Sequence, residues 1–257
     1  MTDFKDWMHD FFDLMFPRCC VVCGAHLGRT EREVCASCLV SLPYINLNQN
    51  DNHNENENNN NNNNNNLNLN LNLNADFYSN AIARLFWGRV PIERAWSYLR
   101  YRSDSESHLL LMQLKYNHRP DVGVYFGRMM ARDLVPQDFF RDIDCLVPLP
   151  LHWKRRLARG YNQSTELAKG IAEVTGVPVV TGCVERVRNN ETQTHKSVEE
   201  RIRNVENLFR LRRPIPYRHI LLVDDVLTTG ASLTACAQAI LRAQPDVRFS
   251  VLTLAKA

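Results

Sequence analysis

Nowhere does this chain of 257 residues hold a run approaching the roughly 20 apolar residues of a membrane-spanning helix, so no span is expected. Nor is a secretory signal expected at the start. Phe4, Met8, Phe11, Phe12 and Met15 have helical spacing, but Asp3, Asp6, Asp10 and Asp13 interrupt them where a signal needs a cationic start and an unbroken apolar stretch. The expectation is a cytoplasmic chain whose first helix docks by its Phe and Met face. Excess charge is also missing: a net +3 is too small to make the whole molecule a nucleic-acid binder. One local absence is informative. Between Leu151 and Arg218 there is no aspartate, and 14 Lys and Arg stand against 7 Glu, so this stretch should face something anionic.

What is present suffices for a core. The chain is 44% apolar, ordinary for a globular protein. Composition divides it into residues 1–45, a head carrying closely spaced cysteines, residues 46–74, and residues 75–257, an α/β body. Of the 29 residues from Asn46 to Asn74, 19 are asparagine. Such a tract buries too little apolar surface to offset the entropy of ordering it, which predicts a disordered linker. In the body, Ser107 to Leu134 reads as two helices split at Pro120, with Leu109, Met112 and Tyr116 as one apolar stripe. Strands are expected at Cys145–Pro148, Val177–Val180, Ile220–Val223 and Arg248–Leu254, and helices at Tyr161–Glu173 and Ala231–Leu241. This alternation predicts a mostly parallel twisted sheet flanked by helices, with ligands bound beyond the carboxyl ends of the strands.

The sharpest motif runs from Ile220 to Leu233. Four apolar residues make a buried strand, and the carboxylates of Asp224 and Asp225 at its end are costly unless ribose hydroxyls or a hydrated Mg²⁺ pair with them. Thr228, Thr229, Gly230, Ala231 and Ser232 then supply hydroxyls and backbone N–H groups at a helix start, which suits a phosphate monoester. Upstream, Arg155, Arg156 and Arg159 precede the Gly160 turn. Guanidinium groups grip phosphates bidentately, and glycine lets the chain fold over them. His152 and His195 lie in loops expected near the same site and read as hydrogen-bonding loop residues.

The head carries Cys20-x₂-Cys23 and Cys35-x₂-Cys38. Two tight turns delivering four thiolates are what tetrahedral Zn²⁺ requires, so a structural zinc site is expected, with Cys19 able to compete with Cys20 and His26 a weak alternative. Cys145, Cys183 and Cys236 read as small core residues.

The Ile220–Leu233 stretch resembles the sugar-diphosphate signature of type I phosphoribosyltransferases. Val147-Pro-Leu-Pro-Leu-His152, Arg159-Gly-Tyr-Asn-Gln163, Leu114-Lys-Tyr116, Arg188 through Gln193, Arg201 to Phe209 and the cysteine-rich head are similar to the ComF family, also called ComFC or GntX. The asparagine tract is foreign to that pattern. The resemblance implies a phosphoribosyltransferase-like body that binds 5-phosphoribosyl diphosphate with Mg²⁺. In it, Asp224 and Asp225 hold the ribose hydroxyls and Thr228 to Ser232 the 5-phosphate. The turn after Val147 is then the diphosphate loop, and the stretch beginning at Arg188 is a loop that closes over the site. Two functions fit this picture. One is an enzyme that displaces diphosphate from the sugar by an acceptor the sequence does not identify. The other is a sugar-phosphate- and single-stranded-DNA-binding protein of DNA uptake and competence, working with a competence helicase, in which arginines beside Trp153 and Tyr161 follow a nucleic-acid strand.

Overall fold

The computed structural model of the protein describes residues 17–46, 76–188 and 208–257. The expected N-terminal docking helix, nearly all of the asparagine tract, His195 and the loop beyond Arg188 lie outside the described residues.

Four parallel strands form the central sheet. In chain order these are β1 (Ile92–Arg100), β2 (Cys145–Pro148), β5 (His219–Leu227) and β6 (Arg248–Lys256), arranged β1-β6-β5-β2. A two-stranded antiparallel sheet, β3 (Val184–Arg186) with β4 (Phe209–Leu211), stands apart from it. The helices are α1 (Ala36–Ser41), α2 (Ala81–Arg84), α3 (Glu106–Tyr116), α4 (Pro120–Leu134), α5 (Trp153–Arg159), α6 (Gln163–Thr175) and α7 (Ala231–Leu241). The α/β architecture with a cysteine-bearing N-terminal part is as the sequence predicts. Strand β5 shows why the sheet is central. Ile220 and Leu222 join the core on one face with Cys145, Phe249 and Val251, while Leu221 and Val223 join the core on the other with Leu146 and Leu252. Apolar residues on both faces are the mark of a parallel strand covered twice.

Several local expectations need correction. Leu109, Met112 and Tyr116 are exposed, at 48%, 41% and 58%, because α3 turns Leu110, Leu111 and Leu114 inward instead. Both stripes have helical spacing, and packing against α4 selects the one with the larger leucine surface. Val177–Val180 makes a single parallel bridge, Leu146 to Val179, rather than a full strand. β5 continues past Val223 to Leu227, so the aspartates are the sixth and seventh of its nine residues rather than lying beyond its end. β1 is a strand that the sequence reading missed.

The head is docked on the body. Cys20, Val21, Val34, Cys35, Cys38 and Leu42 share a core with Trp96, Leu99 and Val122. Beyond α1, the chain runs along the outer edge of β1: the Arg100 N–H donates to the Pro43 carbonyl at 2.8 Å, and the Ile45 N–H to the Tyr98 carbonyl at 3.0 Å. The Ala95 N–H of the same strand donates to Phe77, at 2.9 Å. The described residues that flank the asparagine tract on either side, Ile45 and Phe77, are thus both pinned to β1.

Helices α4 and α6 touch backbone to backbone. A Cβ added at Gly127 would lie 2.1 Å from the Leu167 carbonyl oxygen, and one at Gly170 would lie 2.1 Å from that of Val124. Only glycine permits this approach, and it fixes where the first turn of α6 points.

Candidate functional site

Asp224 and Asp225 stand near the carboxyl end of β5, flanked by β6 and bordered by α6 and α3. The Asp224 Oδ1 accepts from the Ser164 hydroxyl at 2.9 Å and from the Asp225 N–H at 2.9 Å. Burial, and then the neighbouring Asp225 charge, push the Asp224 carboxyl up to about 7, against the lowering pull of those hydrogen bonds and of Lys115. Asp225 Oδ2 lies 3.3 Å from the Lys115 ammonium, which α3 delivers. Two adjacent carboxylates sharing one cation are short of positive charge, and a site of this kind gains by taking up a cation or hydroxyl donors.

The loop that follows is built for close approach. Gly230 has φ +74°, a left-handed conformation, and a Cβ there would come within 3.1 Å of the Phe86 ring. Gly230 is the N-cap of α7 and makes no side-chain cap, so no N-cap side chain competes for the helix's first N–H groups. Thr228 and Thr229 are exposed beside them. Arg89 donates to the Thr229 carbonyl at 3.1 Å, bringing a cation to the loop.

The basic stretch divides between two cavities. Arg155, Arg156 and Arg159 lie on helix α5 rather than in a loop. Arg156 lines a cavity of about 610 Å³ with Pro148, Trp153, Gly160, Glu166 and Arg186. Arg155 and Arg159 line a second, of about 390 Å³, with Lys115, Tyr116 and His118. Neither cavity is lined by the aspartates. Arg186 was not singled out from the sequence. Burial and the Arg155 charge lower its pKa while Asp224 opposes them, so all three lie within one electrostatic neighbourhood. Arg188 is the last residue described before residue 208, and its carbonyl accepts from Arg186 at 3.4 Å. His152 is buried in the turn after β2, its ring 5.8 Å from that of Trp153. Lys115, Ser164 and Arg186 reach the site only through tertiary packing. The sole sequence signal among them was the Leu114-Lys-Tyr116 run.

In the head, the sulfurs of Cys20, Cys23, Cys35 and Cys38 lie within 4.8 Å of one another, and those of Cys23 and Cys35 are 3.7 Å apart. Zn–S bonds of about 2.3 Å in a tetrahedron imply sulfurs about 3.8 Å apart. The four cysteines are positioned to bind a metal. Burial raises the Cys20 thiol, but backbone N–H groups of Cys23, Cys35 and Val22 outweigh it and bring the thiol down to about 7, favouring the thiolate a metal needs. Cys19 is exposed and lies outside this cluster, which leaves Cys20 as the ligand.

These features define an α/β protein with a carboxylate pair and an uncapped helix start at the carboxyl edge of a parallel sheet, and with a four-cysteine head. No family model matches the chain. It is 34% identical over 137 residues to the DNA utilization protein YhgH of Salmonella typhi, covering 52% of this chain and 60% of that relative. It is 34% identical over 131 residues to competence protein F of Haemophilus influenzae, covering 49% and 57%. It is 33% identical over 110 residues to competence protein ComFC of Bacillus subtilis, covering 42% and 43%. The chain thus spans no more than 60% of the length of these curated relatives. The matches and the cysteine cluster support the ComF family. Among the described residues, no helix is long and apolar enough to cross a membrane.

Proposed function

We propose that this protein binds 5-phosphoribosyl diphosphate with Mg²⁺ and transfers the phosphoribosyl group to an acceptor, in the service of DNA uptake or utilization. The observation that carries the reading is the Asp224–Asp225 pair beside the uncapped start of α7. A sugar bearing cis hydroxyls and a 5-phosphate answers both features at once. Asp224 and Asp225 accept from the ribose hydroxyls, and the N–H groups and hydroxyls of Thr228 to Ser232 hold the 5-phosphate. Mg²⁺ held by Asp224 and Asp225 would supply counter-charge to the diphosphate. In the transfer, a lone pair of the acceptor forms the bond to C1′ while the C1′–O bond to diphosphate breaks. Diphosphate leaves with that electron pair, and the acceptor's proton passes to solvent. Arg156 and Arg186 neutralise the charge the leaving group gains.

In the head, Cys20, Cys23, Cys35 and Cys38 would hold Zn²⁺ in a structural role, since four protein thiolates would leave the ion no open position for chemistry.

The test is to incubate the full chain with 5-phosphoribosyl diphosphate, Mg²⁺ and a pool of bases and amines, and to measure diphosphate. Acceptor-dependent release supports the enzyme. Calorimetry showing no binding of the sugar diphosphate would remove the site assignment altogether. A second reading, a non-catalytic binder of sugar phosphate and single-stranded DNA, is favoured by Trp153, 63% exposed with the Lys154 ammonium 5.8 Å from its ring centre, on the same arginine-rich helix. Stacking platforms next to cations suit an unpaired strand. Binding of the sugar diphosphate with no release in any acceptor pool, together with salt-sensitive oligonucleotide binding lost in Trp153→Ala, would select it.

A further inference from the structure

The smaller cavity has a composition unlike a general surface cleft. Lys115, His118, Arg155 and Arg159 line it with Tyr116 and Ala158, and no carboxylate does. Among the described residues neither Arg155 nor Arg159 forms an ion pair with a carboxylate. Its walls are two turns locked together. The Tyr161 hydroxyl donates to the Leu114 carbonyl at 2.5 Å, tying the start of α6 to the end of α3. His118, held at φ +51° in the turn between α3 and α4, lies against Gly160, whose added Cβ would be 3.7 Å from its Nδ1. Arg159 is fixed over the Tyr116 ring at 5.4 Å and donates to Gln163 at 3.0 Å. A volume of about 390 Å³ lies within the range of small-molecule sites.

The aspartates do not line the cavity, but one of its lining residues joins it to them. Lys115 lines it and at the same time reaches Asp225, 3.3 Å away. A molecule seated there would be one side chain removed from the position proposed for the ribose. We infer that this cavity is a second anion subsite, separate from the phosphate loop, which binds a small planar molecule carrying a carboxylate or phosphate. The guanidinium groups and Lys115 hold the anion, and Tyr116 packs on the ring. Its assignment to the acceptor rests on the phosphoribosyl reading above, whereas the subsite itself does not. It also parts Arg155 and Arg159 from the diphosphate, leaving Arg156 and Arg186 for that group.

The experiment titrates the full zinc-loaded chain by calorimetry with benzoate, phenyl phosphate and neutral benzamide, and separately with 5-phosphoribosyl diphosphate and Mg²⁺. The same titrations follow on Arg155→Ala with Arg159→Ala and on the milder Arg155→Gln with Arg159→Gln. Benzoate or phenyl phosphate, whichever the site prefers, should bind saturably and at least roughly tenfold more tightly than benzamide, since charge-assisted hydrogen bonds to the anion are lost with the amide. Both double variants should weaken the preferred anion by about tenfold or more and leave the sugar diphosphate within about twofold. Absence of saturable anion binding to the parent chain would overturn the subsite, while intact sugar-diphosphate binding in that case would leave the phosphoribosyl reading standing. Anion binding with no sugar-diphosphate binding would do the reverse. Loss of sugar-diphosphate affinity in the milder variant, with unchanged melting temperature, would return both arginines to the diphosphate and refute the proposal. So would displacement of the preferred anion by a short oligothymidylate, which would make the cavity a backbone contact for nucleic acid.

Discussion

The molecule gathers like-charged ligand groups twice, in the cysteine head and at the aspartate pair, and it supports the two in opposite ways. The four cysteines stand on turns and on the six-residue helix α1, with little regular structure of their own. The aspartates stand on a nine-residue strand paired on both sides and apolar on both faces. The first cluster is seated in the apolar core that the head shares with the body, and a metal bound by its four closely spaced sulfurs would tie these turns together. The second is held by the sheet, and the strand carries the cost of two carboxylates before any ligand arrives.

That contrast predicts its largest effect in the head. Cys35→Ser with Cys38→Ser, or a strong chelator, should reduce bound zinc from one per chain to none and expose residues 17–46 to protease. The central sheet should keep a cooperative melting transition. Metal analysis and limited proteolysis measure both, and zinc retained in the double variant would refute the ligand set.

Next in size is Asp224→Asn with Asp225→Asn. Binding of 5-phosphoribosyl diphosphate should be abolished in calorimetric titration, while the melting temperature at pH 8 holds or rises because two adjacent charges no longer repel. A fall in melting temperature would mean that the pair is structural, like the cysteines.

The third effect follows from protonation. The Asp224 carboxyl is raised from 3.8 to about 7, so the folded state holds a proton there that the unfolded chain releases. Its contribution to stability is complete below about pH 4 and is lost as pH rises through 7. Asp224→Asn should remove that slope from a plot of melting temperature against pH. The same sign makes binding of Mg²⁺ and the sugar diphosphate release a proton and tighten from pH 6 to pH 8, which titration in buffers of different ionisation enthalpy detects. Binding that is independent of pH across this range would refute it.

The smallest effect belongs to the tract between the two regions. Deleting Asn48 to Asn72 shortens a connection whose ends already sit on one strand, and loop-closure entropy changes slowly with length. Stability should move by no more than about 1–2 kcal/mol, with ligand binding unchanged. Melting curves and titrations of the deletion against the parent test this. Unfolding of the body would show that the tract carries structure.

How much was legible follows the same division between local and distant causes. Helix α7 was readable to its ends, Ala231 and Leu241, because a left-handed glycine and an apolar run mark it within a few residues. Strand β5 was read short, since Asp224 and Asp225 end the apolar run but not the backbone pairing. β1 escaped because Glu93, Arg94 and Ser97 break its apolar pattern. Arg94 is nevertheless buried, donating to the Asp138 carbonyl at 3.1 Å, a partner 44 residues away. The stripe on α3 was read on the wrong side because two leucine-bearing faces compete there. Lys115, Ser164 and Arg186 carry no local mark; each is defined by a helix crossing or a hairpin that brings it to the aspartates. The four cysteines were legible as a set, because their spacing is itself the geometry of the site.

The pinning of Ile45 and Phe77 to β1 also has a mechanical side. Their backbone partners on that strand, Tyr98 and Ala95, are close neighbours, so tension drawn through the asparagine tract is borne across a short segment of one edge strand. Strand β6 lies between that edge and β5. Breaking the hydrogen bonds at residues 45 and 77 would therefore loosen β1 first, with β6 still standing between it and Asp224.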